Sequence, residues 1–155
     1  MTVSTIAPVR KQITVEVPAE RAFEVFTARM ASWWKPGHHI GENPFADIVI
    51  EPFVGGRWAE VDAEGTECAW GRVLAWEPPD RVLLAWQLDG TWSYDENLVT
   101  ELEVRFVAES PSTTRVELEH RNLDRFGELA ESTRASLDDA EGWAGLLRLF
   151  AEHAG

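Results

Sequence analysis

The chain has 155 residues with one cysteine, and 14 basic against 27 acidic side chains give it a net charge of −13. That field repels phosphate backbones and anionic lipid surfaces, so neither nucleic acid nor membrane is expected as a partner. A lone cysteine excludes an intrachain disulfide and a cysteine-rich zinc site.

The first predicted element is a half-buried strand over Arg10–Val17, with Val9, Ile13, Val15 and Val17 on one face and Gln12, Thr14 and Glu16 on the other. Pro18 suits a helix start, where its missing N–H is not needed. From Ala19 the apolar positions Ala22, Phe23, Phe26, Met30, Trp33 and Trp34 keep a helical period until Pro36-Gly37 ends it. Short strands follow at Asp47–Glu51 and Arg57–Val61. Gly65 is then placed at the positive-φ position of a hairpin turn.

A long strand carries Cys68, Trp70, Arg72, Leu74 and Trp76 on one face, unless a bulge exchanges Trp70 for Gly71 and Val73. Glu77–Asp80 must turn, because neither proline can donate to a ladder. Arg81–Leu88 is a strand with Val82, Leu84, Trp86 and Leu88 on one side. Asp89–Asn97 reads as a polar loop with two aromatics, Trp92 and Tyr94. Two further strands, Leu98–Val107 and Arg115–His120, present Leu102, Val104 and Phe106, and Val116, Leu118 and His120. Asn122–Arg134 has no clear period. From Ser136, with a Ser136/Asp139 capping pattern, an amphipathic helix runs to the C-terminus along Leu137, Ala140, Trp143, Ala144, Leu147 and Phe150. Gly142 and Gly145 cost it about 1 kcal/mol each, a cost that close approach to a sheet would offset.

Too few helices are present to bury both faces of these strands. The expected architecture is therefore α+β: a curved antiparallel sheet of about six to seven strands wrapped around a long C-terminal helix, with short helices after the first strand. No linker, repeat or low-complexity tract divides the chain, so one domain over residues 1–155 is expected, its ordered core running from about 9 to 152. No apolar run is long enough for a membrane span and no signal-peptide pattern begins the chain, which with the cysteine usage favours the cytoplasm.

In that order, "ITVEVPAERAFEVFT" (Ile13–Thr27), "SWW" (Ser32–Trp34), "GGRW" (Gly55–Trp58), "GRVLAWEPPDRVLLAW" (Gly71–Trp86), "TRVELEHRNLDRFG" (Thr114–Gly127) and "EGWAGLLRLF" (Glu141–Phe150) resemble the START/SRPBCC superfamily with its helix-grip fold. More narrowly they resemble its branch named for heat-shock-protein ATPase activators. "ELEHRNLDRFG" (Glu117–Gly127) also resembles self-resistance proteins of enediyne producers, with Leu123 where an aromatic would sit. The resemblance implies a cavity between sheet and C-terminal helix, often for a hydrophobic small molecule. It implies no single reaction.

Eight tryptophans against one tyrosine exceed what a small core requires, and flat apolar walls suit an aromatic or polyketide-like ligand. The expected ligand-binding set is Trp34, Trp58, Trp70, Trp86 and Trp143 as walls, with Leu102 and Val104 beside them and His120 as a polar handle. A solid aromatic core is the competing reading. No nucleophile, phosphate-loop or dinucleotide motif occurs, so no catalytic residue and no cofactor are assigned. His38 and His39 with Glu42 fall short of the converging ligands zinc needs, so no metal is assigned. Binding without catalysis is the first expectation. Docking on a heat-shock ATPase chaperone, and a cyclase or hydrolase using His120, are the alternatives. Oligomeric state is left open.

Overall fold

The computed structural model describes residues 6–35 and 43–154. Its strands are β1 (Val9–Val15), β2 (Phe45–Ile50), β3 (Arg57–Asp62), β4 (Glu67–Glu77), β5 (Arg81–Trp86), β6 (Thr100–Ser110) and β7 (Thr113–Arg121). They form one antiparallel sheet in the order β1-β7-β6-β5-β4-β3-β2. The sheet curls into a half-barrel that holds the C-terminal helix, the helix-grip arrangement of the expected α+β class.

Alternation does the sorting. Val82, Leu84, Leu102, Val104, Phe106, Val116 and Leu118 point inward and are buried. The convex face carries ion pairs instead: Arg121 reaches Glu101, Glu103 and Glu119, and Arg81 reaches Glu103 at 2.5 Å. Burial pushes the Glu103 carboxyl up, but the Arg81 and Arg121 guanidiniums outweigh it and hold the group below its usual range.

The long strand departs from strict alternation twice. Register shifts between Trp58 and Ala59 on β3 and between Val73 and Ala75 on β4 leave Trp70 and Leu74 as extra residues. Each bulge reverses the phase. Trp70, Val73 and Trp76 therefore all join the core cluster, while Arg72 is exposed. The single inward set Cys68-Trp70-Arg72-Leu74-Trp76 is corrected accordingly.

The first helical region is also broken. α1 (Ala19–Thr27) and α2 (Met30–Trp33) are separate helices. The Thr27 hydroxyl donates back to the Phe23 carbonyl (2.7 Å), and Arg29 leaves helical geometry with φ −116° and ψ 27°. The break folds α2 back, so that the Trp33 indole N–H donates to the Val25 carbonyl at 2.9 Å. Phe23 and Phe26 of α1 pack edge-on against Phe106 of β6.

The helix expected from Ser136 is two helices. Leu123–Leu129 forms a 3-10 segment, α3 spans Ala130–Asp138, and α4 spans Trp143–Ala154. The Ser136/Asp139 cap does not form. Asp139 is extended (ψ 158°), and its Oδ1 accepts the Glu141 N–H inside the intervening turn. Neither glycine meets the sheet. A Cβ on Gly142 would lie 2.4 Å from the Leu137 carbonyl oxygen, and one on Gly145 would lie 2.7 Å from that of Ala140, so both serve the α3–α4 turn.

Candidate functional site

Where the end of β5, the end of α2 and the α3–α4 turn converge, the fold leaves a cavity of about 640 Å³. Its deep wall is indole. Trp34 meets Trp70 (centroids 5.1 Å apart) and Trp143 (6.0 Å), and Trp143 meets Trp86 (5.6 Å). Trp34 reaches this wall because the chain turns extended after α2 (φ −67°, ψ 139°), whereas Trp33 stays in the core against Phe26 and Phe150. The adjacent tryptophans thus separate into a core residue and a wall residue. Leu88, Trp92 and Leu146 complete the apolar lining.

The polar groups of the lining lie on the α3–α4 side: Ser136, Asp139 and Glu141. Glu141 pairs with Lys35 at 2.5 Å, joining the ends of α2 and α3 across this side. That hydrogen bond, with the Lys35 charge, holds the Glu141 carboxyl below its ordinary range.

Of the residues expected from sequence, Trp34, Trp70, Trp86 and Trp143 line the cavity. Trp58 lies behind the wall, edge-on to Trp70 and Trp86 at 5.6 and 5.7 Å. Leu102 and Val104 are fully buried in the core and are not lining residues. His120 is likewise buried, at 0% exposure, and does not line the cavity. Its Nδ1 accepts the Trp143 indole N–H (3.2 Å), and its Nε2 lies 2.8 Å from the Thr100 hydroxyl, whose oxygen is 3.2 Å from the Trp86 carbonyl. One tautomer satisfies all three: Trp143 donates to Nδ1, Nε2–H donates to Thr100, and Thr100 donates to Trp86. Burial pushes the imidazole pKa down to about 3, so the ring is neutral at physiological pH. The relay leaves His120 no free nitrogen to offer a ligand. It fixes instead the orientation of Trp143, a wall residue.

Removing the indole donor tests this assignment. Trp143→Phe should cost about 1–3 kcal/mol by leaving His120 Nδ1 buried without a partner; urea unfolding reads the loss, and an unchanged midpoint would refute the relay.

Among the described residues, the buried indole nitrogens of Trp58 and Trp86 have no hydrogen-bond partner. Trp70 donates to the Glu60 carboxylate at 2.8 Å. Burial, first, and the charges of Glu60 and Asp62 push the half-buried Cys68 thiol up, away from reactivity. Among the described residues no cluster of His, Cys, Asp or Glu could hold a metal; His38, His39 and Glu42 lie outside them. Among the described residues, likewise, no helix is long and apolar enough to cross a membrane.

Sequence reasoning did not assign Leu88, Trp92, Leu146 or the α3–α4 turn to the site. The signal for Trp92 is local: Asp89 followed by Thr91 is an Asx-turn pattern, which marks a tight turn carrying an aromatic.

A curled antiparallel sheet holding a C-terminal helix, with an indole-walled cavity between them, defines a START-like helix-grip domain. The chain belongs to the activator of Hsp90 ATPase homolog 1-like family, whose pattern matches residues 16–155. No curated protein sequence matches it. Among solved structures it is similar to Txn09, described as an anthrahydroquino-gamma-pyrone synthase complexed with SUM, with 42% identity, 96% of this chain and 97% of that one covered, and a TM-score of 0.68. It is also similar to CalC, a self-sacrificing resistance protein from Micromonospora echinospora (29% identity, 96% and 94% covered, TM-score 0.72). The Aha1 dimer from Colwellia psychrerythraea shares the fold (15% identity, 95% of each chain covered, TM-score 0.61).

Proposed function

We propose that this protein binds a planar, polycyclic aromatic small molecule of polyketide type in the cavity between sheet and C-terminal helix. The observation that carries this reading is the wall: Trp34, Trp70, Trp86 and Trp143 surround about 640 Å³ whose polar lining lies on one side. That volume suits a ligand of several fused rings, and indole faces and edges bind flat π-systems through area and quadrupole together. The resemblance to Txn09 supports the same ligand class.

Titrating the protein with polycyclic quinones, fatty acids and sterols while following tryptophan fluorescence tests the proposal. Saturable quenching by the quinones at micromolar concentration is the expected result. Asp139 at the polar side, where Lys35 offsets the Glu141 charge, should also make a carboxylated quinone bind about threefold more weakly than its neutral or amine-bearing analogue, a gap that salt narrows. A flat response to every class would overturn the reading and leave a protein partner, such as a heat-shock ATPase, as the better account.

A second reading, ring closure on a bound polyketide, draws on the 42% identity to a synthase. His120 is enclosed by its relay and Glu141 is held by Lys35, so the lining groups left to move protons in the cavity are Asp139 and Ser136. Liquid chromatography with mass spectrometry of a linear polyketide substrate after incubation separates the readings. A new peak of the same mass (addition) or lighter by one water (addition and dehydration), absent with Asp139→Asn, supports closure; recovery of the substrate peak alone supports binding alone.

A further inference from the structure

The loop after β5 is built more carefully than its polar composition suggests. Leu88 and Tyr94 form an isolated antiparallel bridge, and inside it Asp89 organises the turn. The Asp89 N–H donates to the Ser93 carbonyl (2.9 Å), and the Trp92 N–H donates to the Asp89 carbonyl (2.9 Å). Asp89 Oδ1 accepts from the Thr91 N–H (2.8 Å), the Thr91 hydroxyl (2.6 Å) and the Ser93 N–H (3.1 Å). The turn is also anchored from outside. A Cβ on Gly90 would lie 2.6 Å from the Leu129 side chain and 2.9 Å from Thr133 Oγ1, so glycine there lets the loop lie against the 3-10 segment and α3.

At the tip of this turn Trp92 has φ +64°. For a bulky residue that is a strained conformation, one glycine or asparagine adopts at little cost. The strain gains nothing for the core, because Trp92 remains 42% exposed. It is also a lining residue of the cavity, edge-on to Trp86 with centroids 6.3 Å apart. An indole held in an unfavourable backbone state, at the edge of an aromatic cavity, by a dedicated hydrogen-bonded turn, is explained by what it meets there.

We propose that Trp92 stacks on the solvent-side part of the bound aromatic and that Asp89 is the positioning residue that holds it there. This rests on the reading of the cavity as an aromatic-binding site. Trp92 extends the deep indole wall outward, so the ligand is gripped along its length while its outer end stays accessible to solvent.

The test uses the full chain and 1,4-dihydroxyanthraquinone, followed by its own visible absorbance so that tryptophan substitutions do not alter the readout. Trp92→Ala should weaken binding at least tenfold, and Trp92→Phe should stay within about threefold of the unsubstituted protein. Asp89→Ala should weaken binding nearly as much as Trp92→Ala, and the double variant should bind no worse than Trp92→Ala alone. Asp89→Asn, whose amide oxygen still accepts, should recover most of the loss. Trp92→Gly separates binding from folding: it relieves the backbone strain, so binding should fall while the thermal midpoint holds or rises.

If the unsubstituted protein binds the quinone and Trp92→Ala binds equally well, the role of Trp92 is overturned and the cavity reading stands. Additive losses in the double variant would overturn the role of Asp89. Absence of quinone binding by the unsubstituted protein would overturn both.

Discussion

Gly71→Ala is expected to destabilise the protein by about 3 kcal/mol or more, at the upper end of what overpacking a core costs. Gly71 pairs with Trp86 across the β4–β5 ladder, one residue after the bulge at Trp70. A Cβ there would lie 1.7 Å from the Ala85 carbonyl oxygen and 2.9 Å from its carbon. Those atoms are backbone of the neighbouring strand, so they can retreat only by opening the ladder, and the Gln87 N–H bond to the Trp70 carbonyl (2.8 Å) lies beside it. For a chain of this length the change lowers the melting midpoint by about 6–12 °C. Gly65→Ala is the control. It has φ +85° but nothing within 4 Å of its added Cβ, so only the backbone term remains, about 1 kcal/mol. Equal losses at the two positions would show that the close approach at Gly71 is not the determinant.

The second large effect is on the pH dependence of stability. His120 has a folded pKa of about 3 against 6.5 for the exposed group. A base whose pKa is depressed by folding is bound neutral, so between pH 6.5 and 3 the unfolded chain takes up a proton that the folded chain refuses. The contribution is complete above about pH 6.5 and is lost as pH falls, at about 1.4 kcal/mol per unit. From pH 7 to pH 5 the loss is about 2 kcal/mol. His120→Gln keeps an acceptor toward Trp143 and a donor toward Thr100 but does not titrate. Urea unfolding at the two pH values should show the variant's stability falling less than the unsubstituted protein's by that amount. Every other histidine and carboxylate is common to both proteins and cancels in the difference. Parallel pH profiles would refute the buried neutral imidazole.

The parts of the fold with regular periods were legible in the sequence. β1, β6 and β7 follow from alternation, and the inward direction of Val116, Leu118 and His120 follows with them. A bulge on β4 could be named as an alternative but not placed, because one inserted residue leaves no mark in composition: strict alternation assigns Arg72 and Leu74 to the wrong face, and the bulges bring Val73 inward beside Trp70 instead of exchanging the two. α3 was missed for a related reason. Its buried positions Ala130, Thr133 and Leu137 are spaced for a helix, but one is small and another polar, so the apolar pattern is faint. The indoles carried by regular elements could be nominated for the site. The Asp89/Thr91 pattern marks a turn at Trp92 but not where that turn packs, and the α3–α4 turn carries no such mark, since loops come to the cavity through tertiary contacts such as Gly90 against Leu129. His120 was legible as an inward histidine, but its partners Thr100 and Trp143 are distant in sequence.

The relay from Trp143 through His120 and Thr100 to Trp86 has a consequence for specificity. It ties α4 to β7, β6 and β5 beneath the cavity, so on the proposed reading the inner half of the lining serves folding as well as recognition. Trp92, Asp139 and Glu141 lie on turns outside that chain of bonds. On the proposed aromatic-binding reading, a change of specificity at the outer end of the ligand would then need only altered turns, whereas a change of the flat inner moiety would need a rebuilt core.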